Sequence, residues 1–150
     1  MQVFVPYSSA LYVALTLDRR RLNKQIIECL QIQAVLRGCS TAWQFHPIVA
    51  MYRNHALWLE YYLNTLVAYR NGNLALAATY SAQAEAATPP FICKALCDNH
   101  KRRLYTKSPE FYPQFALLGT TTENWYIIDA QLRIYENGKL KTVREFALTV

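Results

Sequence analysis

Residues 17–36 read LDRRRLNKQIIECLQIQAVL, and this stretch predicts the helix around which the rest of the chain is organised. Asp18 stands in the N-cap position, where a carboxylate can accept hydrogen bonds from the free backbone N–H groups of the first turn. Leu22, Ile26 and Cys29 recur at the spacing of a buried helix face. The pattern therefore predicts a helix with one apolar face and one basic face.

The predicted basic face contains a single carboxylate, that of Glu28. It shares that face with three residues that precede it at helical spacing, Arg21, Lys24 and Gln25. Asp18 and Glu28 are the only acidic residues before Glu60, and only Asp18 has a capping role. Glu28 is thus a candidate for chemistry. The spacing equally allows an ordinary Lys24–Glu28 ion pair, which would contribute about 0.3–0.5 kcal/mol.

Composition restricts the class of protein. A chain of 150 residues predicts one domain, and 53% hydrophobic with 17% charged residues indicates a globular protein. The net charge of +6 is concentrated in residues 19–24, 101–107 and 133–144. Clustered positive charge beside aromatic residues favours a polyanionic partner, most simply nucleic acid.

The cysteine pattern does not favour a metal site. Four cysteines form no CxxC pair: Cys29, Cys39, Cys93 and Cys97. The sequence also has no signal peptide and no apolar run long enough to cross a bilayer. We therefore expect reduced thiols and a cytoplasmic protein.

The rest of the chain predicts more helices and then strands. Helical patterns follow Ser8 or Ser9 and cover residues 47–70, 73–87 and 91–105. After residue 112 the pattern alternates, and Asn137-Gly138 is a strong hairpin signal, so we expect two or three terminal strands. The predicted fold is mainly α, a compact single-domain helical bundle over residues 1–112 with a small C-terminal β-hairpin in a β-rich appendage over residues 113–150.

Four ordered blocks then identify a resemblance. They are MQVFVPYSSA (1–10), LDRRRLNKQIIECLQI (17–32), GCSTAWQFHPIVAMYRNH (38–55) and NHKRRLYTKSPEFY (99–112). Together they resemble the pyrimidine-dimer DNA glycosylases of the endonuclease V type, small helical repair enzymes of phages and bacteria. The resemblance covers residues 1–112 and gives no counterpart for residues 124–150.

The resemblance implies a glycosylase that is also an abasic-site lyase and uses neither metal nor cofactor. In such enzymes the chain's own α-amine attacks the sugar carbon of a damaged nucleotide, and a strand break follows by β-elimination. An α-amine suits this because its usual pKa of about 8 leaves a useful fraction unprotonated at neutral pH. A glutamate on the long helix assists, and alignment through Leu22 places that role on Glu28.

Two departures from the family pattern concern the amine and the helix face. The better-known enzymes lose their initiator methionine before a small second residue, whereas Gln2 is too large for routine removal. We therefore expect the α-amine of Met1 to be the nucleophile. Ile27 replaces an arginine that precedes the glutamate in the family, and Arg21 stands where a histidine is usual.

The partner expected from this reading is double-stranded DNA with a damaged base, in a bacterial or phage-infected cell. Residues expected to contact DNA are Arg19, Arg20, Arg21, Lys24, Gln25, Trp43, His46, His100, Arg102, Arg103 and Lys107. Structural alternatives stay open for several: a solvated Gln25, a buried Trp43, a capping His46, and a dipole-complementing role for residues 100–107.

A second class of function also fits the sequence. A non-catalytic nucleic-acid-binding module would need the arginines but neither the free α-amine nor Glu28. Within the enzyme class, the lesion, pyrimidine dimer or a related damaged or modified base, is left open, as is the oligomeric state.

Overall fold

The computed structural model describes residues 1–147, which fall into two compact units divided between Pro89 and Pro90. Residues 148–150, the end of the predicted β-rich appendage, lie outside the described residues. The first unit contains five helices: α1 (Ala10–Thr16), α2 (Arg19–Leu36), α3 (Pro47–Tyr52), α4 (Ala56–Arg70) and α5 (Leu74–Ala86).

The predicted helix starts of this unit are confirmed where a cap residue specifies them. Asp18 accepts from the N–H of Arg21 at the start of α2, and Ser9 and Asn73 cap α1 and α5 in the same way. Each cap satisfies a backbone donor that the helix cannot satisfy itself, so local sequence is sufficient to place these helix starts.

The single helix predicted over residues 47–70 is wrong, because the chain turns between α3 and α4. In one continuous helix, Tyr52 and Trp58 would point about 120° apart around the axis. The turn instead lets the two rings stack at 5.5 Å, and Trp58 stacks on Tyr62 at 4.8 Å. All three side chains are buried, so the turn builds the aromatic core of the unit.

Helix α4 lies at the centre of this unit, where it contacts α1, α2 and α5. The N-terminal segment, which we define as residues 1–6, is extended and belongs to none of the described strands. Val3 and Val5 are completely or almost completely buried. A buried segment outside any sheet must find hydrogen-bond partners among side chains.

The second unit contains α6 (Lys94–Lys107), a 3₁₀ helix (Pro113–Leu118) and three strands, β1 (Glu123–Ile128), β2 (Gln131–Glu136) and β3 (Lys139–Glu145). The strands form an antiparallel sheet in the order β1-β2-β3. The predicted Asn137-Gly138 turn is confirmed, with φ of 52° and 76°, and it joins β2 to β3.

These observations correct the predicted fold class. The chain is mainly helical, but α6 lies in the second unit with the sheet, so the helices do not form one bundle. The β part is a three-stranded sheet instead of a hairpin, because a second turn with positive φ at Asp129 and Ala130 adds β1. That turn lacks the glycine that marks hairpin turns most clearly. The assignment of residues 1–150 to one glycosylase-like domain stays a prediction.

Helix α6 buries polar as well as apolar side chains. His100 is completely buried, as is Leu104 one turn later, and Asn99 donates from its amide to the Glu123 carbonyl at 3.3 Å. Burial, reinforced by the positive charge of Arg103, lowers the pKa of His100 from 6.5 to about 3. The imidazole is therefore neutral throughout the physiological range.

This buried histidine predicts a specific loss of stability in acid. Between pH 6.5 and about 3 the unfolded chain binds a proton at His100 that the folded chain does not. The free energy of unfolding should therefore fall with decreasing pH, with a slope approaching about 1.4 kcal/mol per pH unit from this group. Urea titrations of wild type and His100→Leu across this range measure the contribution.

The variant should show a shallower pH dependence of the unfolding free energy than wild type. His55→Leu serves as the matched control. Burial lowers the pKa of His55 as well, but His55 is only partly buried, so its removal should flatten the pH dependence less than the removal of His100. Identical slopes for wild type and His100→Leu would contradict the assignment.

Candidate active site at the N-terminal segment

The side chain of Gln25 holds the N-terminal segment against α2. Its Nε2 donates to the Gln2 carbonyl at 2.9 Å, and its Oε1 accepts from the Phe4 N–H at 2.9 Å. Gln25 is only 2% exposed. Both ends of its amide bind backbone, and the predicted contact with a sugar or base edge has no support in this geometry.

A residue that the sequence reasoning missed holds the same segment from α4. The Tyr62 hydroxyl donates to the Phe4 carbonyl at 2.7 Å, and both groups are buried. The sequence did not single out Tyr62, since nothing in a run of aromatic residues shows which hydroxyl meets a backbone carbonyl.

Glu28 lies one turn beyond Gln25 and contacts the start of the chain. Its Oε2 accepts from the Gln2 N–H at 3.4 Å, and Lys24 Nζ lies 3.9 Å from Oε1. The ion pair that the spacing allowed is therefore present, but the Lys24 side chain is 69% exposed, which makes the pair weak. The geometry places the carboxylate one residue from the α-amine of Met1.

His46 lies at the N-terminus of α3, where the positive charge of the same amine acts on its ring. Its Nδ1 accepts from the Ile48 N–H at 3.0 Å, so the predicted capping role is present. Burial, followed by the positive charge of the α-amine, lowers the pKa of His46. The ring is therefore neutral at neutral pH, and with Nδ1 accepting, its proton is carried on Nε2.

The loop before His46 exposes two aromatic side chains. Trp43 is 53% exposed, which excludes the buried alternative, and its ring meets His46 edge-to-face at 6.0 Å. Its φ of 67° is a left-handed conformation that a bulky residue adopts at some cost. Phe45 is 91% exposed and was missed, because an isolated phenylalanine in a loop carries no signal for function.

The basic residues of α2 differ in how strongly the protein engages them. Arg19, Arg20 and Lys24 are exposed. Arg21 forms an ion pair with Asp18 at 3.2 Å. The predicted phosphate-binding face therefore has three accessible cations and one that its own cap residue holds.

The predicted basic cluster at residues 100–107 lies in the second unit, where most of its side chains are buried, partly buried or hydrogen-bonded within the protein. His100 is buried and neutral, which argues against the predicted phosphate contact. Arg102 donates from Nε to the Leu118 carbonyl at 2.9 Å, and partial burial lowers the pKa of Arg103. Of the four predicted residues in this cluster, Lys107 is the exposed one.

Across residues 1–147 no group of three or more His, Cys, Asp or Glu side chains is arranged to hold a metal ion. None of the helices in this described range is both long and apolar enough to cross a membrane.

The structure thus brings Met1, Gln25, Glu28, Trp43 and His46 to one region of the first unit. An α-amine beside a carboxylate and a neutral imidazole can combine nucleophilic attack with proton transfer. The carboxylate can also stabilise positive charge that develops on the nitrogen. This is the chemistry expected of an amine that forms a covalent bond with a sugar or carbonyl carbon.

Comparison with known proteins gives one match. The family model described as pyrimidine dimer DNA glycosylase matches residues 1–69, which extend from the α-amine to the last turn of α4. No curated protein and no solved structure gives a significant match to the chain. The matched segment contains every residue of the N-terminal region described above and none of residues 100–107. Residues 1–69 are therefore similar to the pyrimidine dimer DNA glycosylase family, which supports the resemblance seen in the sequence.

Proposed function

We propose that the protein is a DNA glycosylase with abasic-site lyase activity, and that its nucleophile is the α-amine of Met1. The observation that carries the proposal is the contact between the Gln2 N–H and Glu28 Oε2 at the end of a buried segment. Together with the family similarity of residues 1–69, it supports an amine that is held beside a carboxylate. The substrate class is a pyrimidine dimer or a related damaged base in duplex DNA.

In the first step the amine nitrogen forms a bond to C1′ of the damaged nucleotide. The glycosidic C–N bond breaks, and the base leaves with its electron pair and takes up a proton. The nitrogen then loses one proton, and the C1′–O4′ bond breaks as O4′ leaves with the electron pair and takes up a proton, which gives a protonated Schiff base. Glu28 stabilises this cation, since a carboxylate in a partly dehydrated site interacts strongly with developing positive charge.

The second step cleaves the strand. Removal of a C2′ proton forms a C2′–C3′ double bond, and the 3′ phosphate leaves with the electrons of the C3′–O bond. Glu28 is the group that we assign to this proton transfer, because it is the carboxylate next to the amine. Neither step requires a metal ion or a redox cofactor.

The other residues of the region have binding roles in this proposal. Arg19, Arg20 and Lys24 hold phosphates, which position the duplex without reading its sequence. Trp43 stacks on a base displaced from the helix, since enzymes of this kind gain access by extruding a nucleotide. His46 supplies an Nε2–H donor near the amine. Lys107 adds a phosphate contact from the second unit.

The alternative is a binding module that keeps the basic residues without the chemistry. It would act on nucleic acid through the same arginines and would form no covalent adduct. For the enzyme, we expect the compartment that contains the damaged DNA, which is the cytoplasm of a bacterium or of a phage-infected host cell.

The direct test of the mechanism is borohydride trapping on two duplexes, one irradiated with ultraviolet light and one carrying an abasic site. Reduction of a Schiff base should give a stable protein–DNA adduct on both, and mass mapping should place it on Met1. A duplex without damage is the control. An acetylated or pyroglutamate N-terminus on active protein would contradict the role of Met1, and tight binding without an adduct would favour the binding module.

Glu28→Gln separates chemistry from binding. The variant keeps the size of the side chain and an oxygen that can accept from the Gln2 N–H, but it loses the charge. We expect strand cleavage to fall by about 10²–10⁴-fold, as for loss of a general acid–base group, with DNA affinity unchanged or slightly higher. Glu60→Gln, on α4, is the matched control and should cleave like wild type. Cleavage that survives in Glu28→Gln would refute the assignment.

Arginine variants test the phosphate-binding face of α2. Arg20→Ala should weaken binding to all sequences and reduce the salt slope of the binding constant by about one. Arg21→Ala should do the same to a smaller extent, because Asp18 already holds Arg21. Fluorescence anisotropy at several salt concentrations measures both effects, with Arg70→Ala as an exposed-arginine control. Unchanged affinity and slope in both variants would remove α2 from the interface.

A further inference from the structure

We infer that Gln25 is the positioning residue for the nucleophilic amine, because its side-chain amide fixes the register in which the N-terminal segment lies along α2. This inference rests on the proposed function and deepens it. Gln25 acts on the position of the amine through the backbone of residues 2–4.

The first argument is the pattern of its two hydrogen bonds. The Gln2 carbonyl and the Phe4 N–H lie on the same edge of an extended chain, two residues apart, and one amide engages both at 2.9 Å. A neighbouring strand would engage the same pair of groups. The glutamine therefore takes the place of a strand and specifies which two backbone groups face α2.

The second argument is the displacement that another register would cause. An extended chain rises about 3.3 Å per residue, so a slip of two residues would move the amine by about 7 Å. A slip of one residue would turn the opposite backbone edge toward α2. Either would carry the amine away from Glu28, whose contact with the Gln2 N–H exists only in the observed register.

The third argument is where this amide lies. Gln25 occupies the buried side of α2, among Leu22, Ile26 and Cys29, where a polar side chain is costly unless it is hydrogen-bonded. Glu28 follows one turn later, so the two residues contact the segment in succession along the helix. The register that Gln25 sets therefore also determines which backbone N–H meets the catalytic carboxylate.

Gln25→Glu tests the inference through pH. The ionised variant carboxylate can accept from the Phe4 N–H, but its second oxygen would face the Gln2 carbonyl, and two acceptors repel. Burial raises the pKa of a carboxyl group, and its protonated form can donate to Gln2 as the amide does. The ratio of variant to wild-type trapping rate should therefore rise as pH falls.

The other titratable groups at this site do not produce that change in the ratio. Burial raises the pKa of the Cys29 thiol and of the Tyr62 hydroxyl, so both stay protonated over the range. The α-amine, Glu28 and His46 are present in both proteins, so their effects on the trapping rate largely cancel in the ratio.

The measurement is the single-turnover rate of borohydride trapping at saturating abasic duplex, at several pH values between about 5 and 8, on protein shown by circular dichroism to be folded. We expect the variant to be about ten- to a hundredfold slower than wild type at the upper end and close to wild type at the lower end, with little change in DNA affinity. Gln33→Glu is the matched control, because Gln33 is a buried glutamine on the same helix. Its ratio to wild type should not depend on pH.

The outcomes separate this inference from the function on which it rests. If wild type is trapped and the ratio of variant to wild-type trapping rate is near one at every pH, the role of Gln25 is overturned while the proposed function stands. No trapping by wild type would overturn the proposed function and this inference with it. If Gln25→Glu does not fold, Gln25→Met keeps the volume without the hydrogen bonds. The Gln25→Met variant should be trapped at least tenfold more slowly with unchanged DNA affinity, and a wild-type rate would overturn the inference.

Discussion

The fold of the first unit depends on hydrogen bonds to the backbone of a buried segment that has no neighbouring strand. Residues 2–6 are buried, and each unpaired N–H or carbonyl in such a place would cost about 1–3 kcal/mol. Gln25 and Glu28 on α2 and Tyr62 on α4 supply the missing partners. The same bonds that make the burial possible fix the position of the chain's first residue. A chain terminus, usually among the most mobile parts of a protein, thereby becomes a defined chemical group.

The short helix α3 connects the aromatic core to the region of the amine. The turn at its C-terminal end, which separates α3 from α4, allows Tyr52, Trp58 and Tyr62 to stack in the interior. At its N-terminal end His46 caps the helix, and the positive charge of the α-amine contributes to the lowered pKa of the His46 ring. The preceding loop leaves Trp43 and Phe45 exposed beside that cap.

The two units differ in what their charged residues do. On α2 the cations Arg19, Arg20 and Lys24 point to solvent, which suits a surface that attracts phosphates. On α6 the fold engages most of the basic side chains: His100 is buried and Arg102 binds the Leu118 carbonyl. The cluster of basic residues in the sequence therefore overstates the positive surface that α6 presents.

The sequence by itself determined the features that depend on neighbours within about four residues. The caps Ser9, Asp18 and Asn73 and the Asn137-Gly138 turn were predictable because each satisfies or shapes its own local backbone. Glu28 stood out because a lone carboxylate on a basic face is a local pattern too. Only the tertiary structure decided the break before α4, the burial of Gln25 and His100, and the division of the helices between two units. The burial of these two side chains and the division between units depend on contacts between residues far apart in the chain, which no local pattern encodes. The break allows Tyr52 and Trp58 to stack, a contact that the helical spacing of residues 47–70 does not reveal.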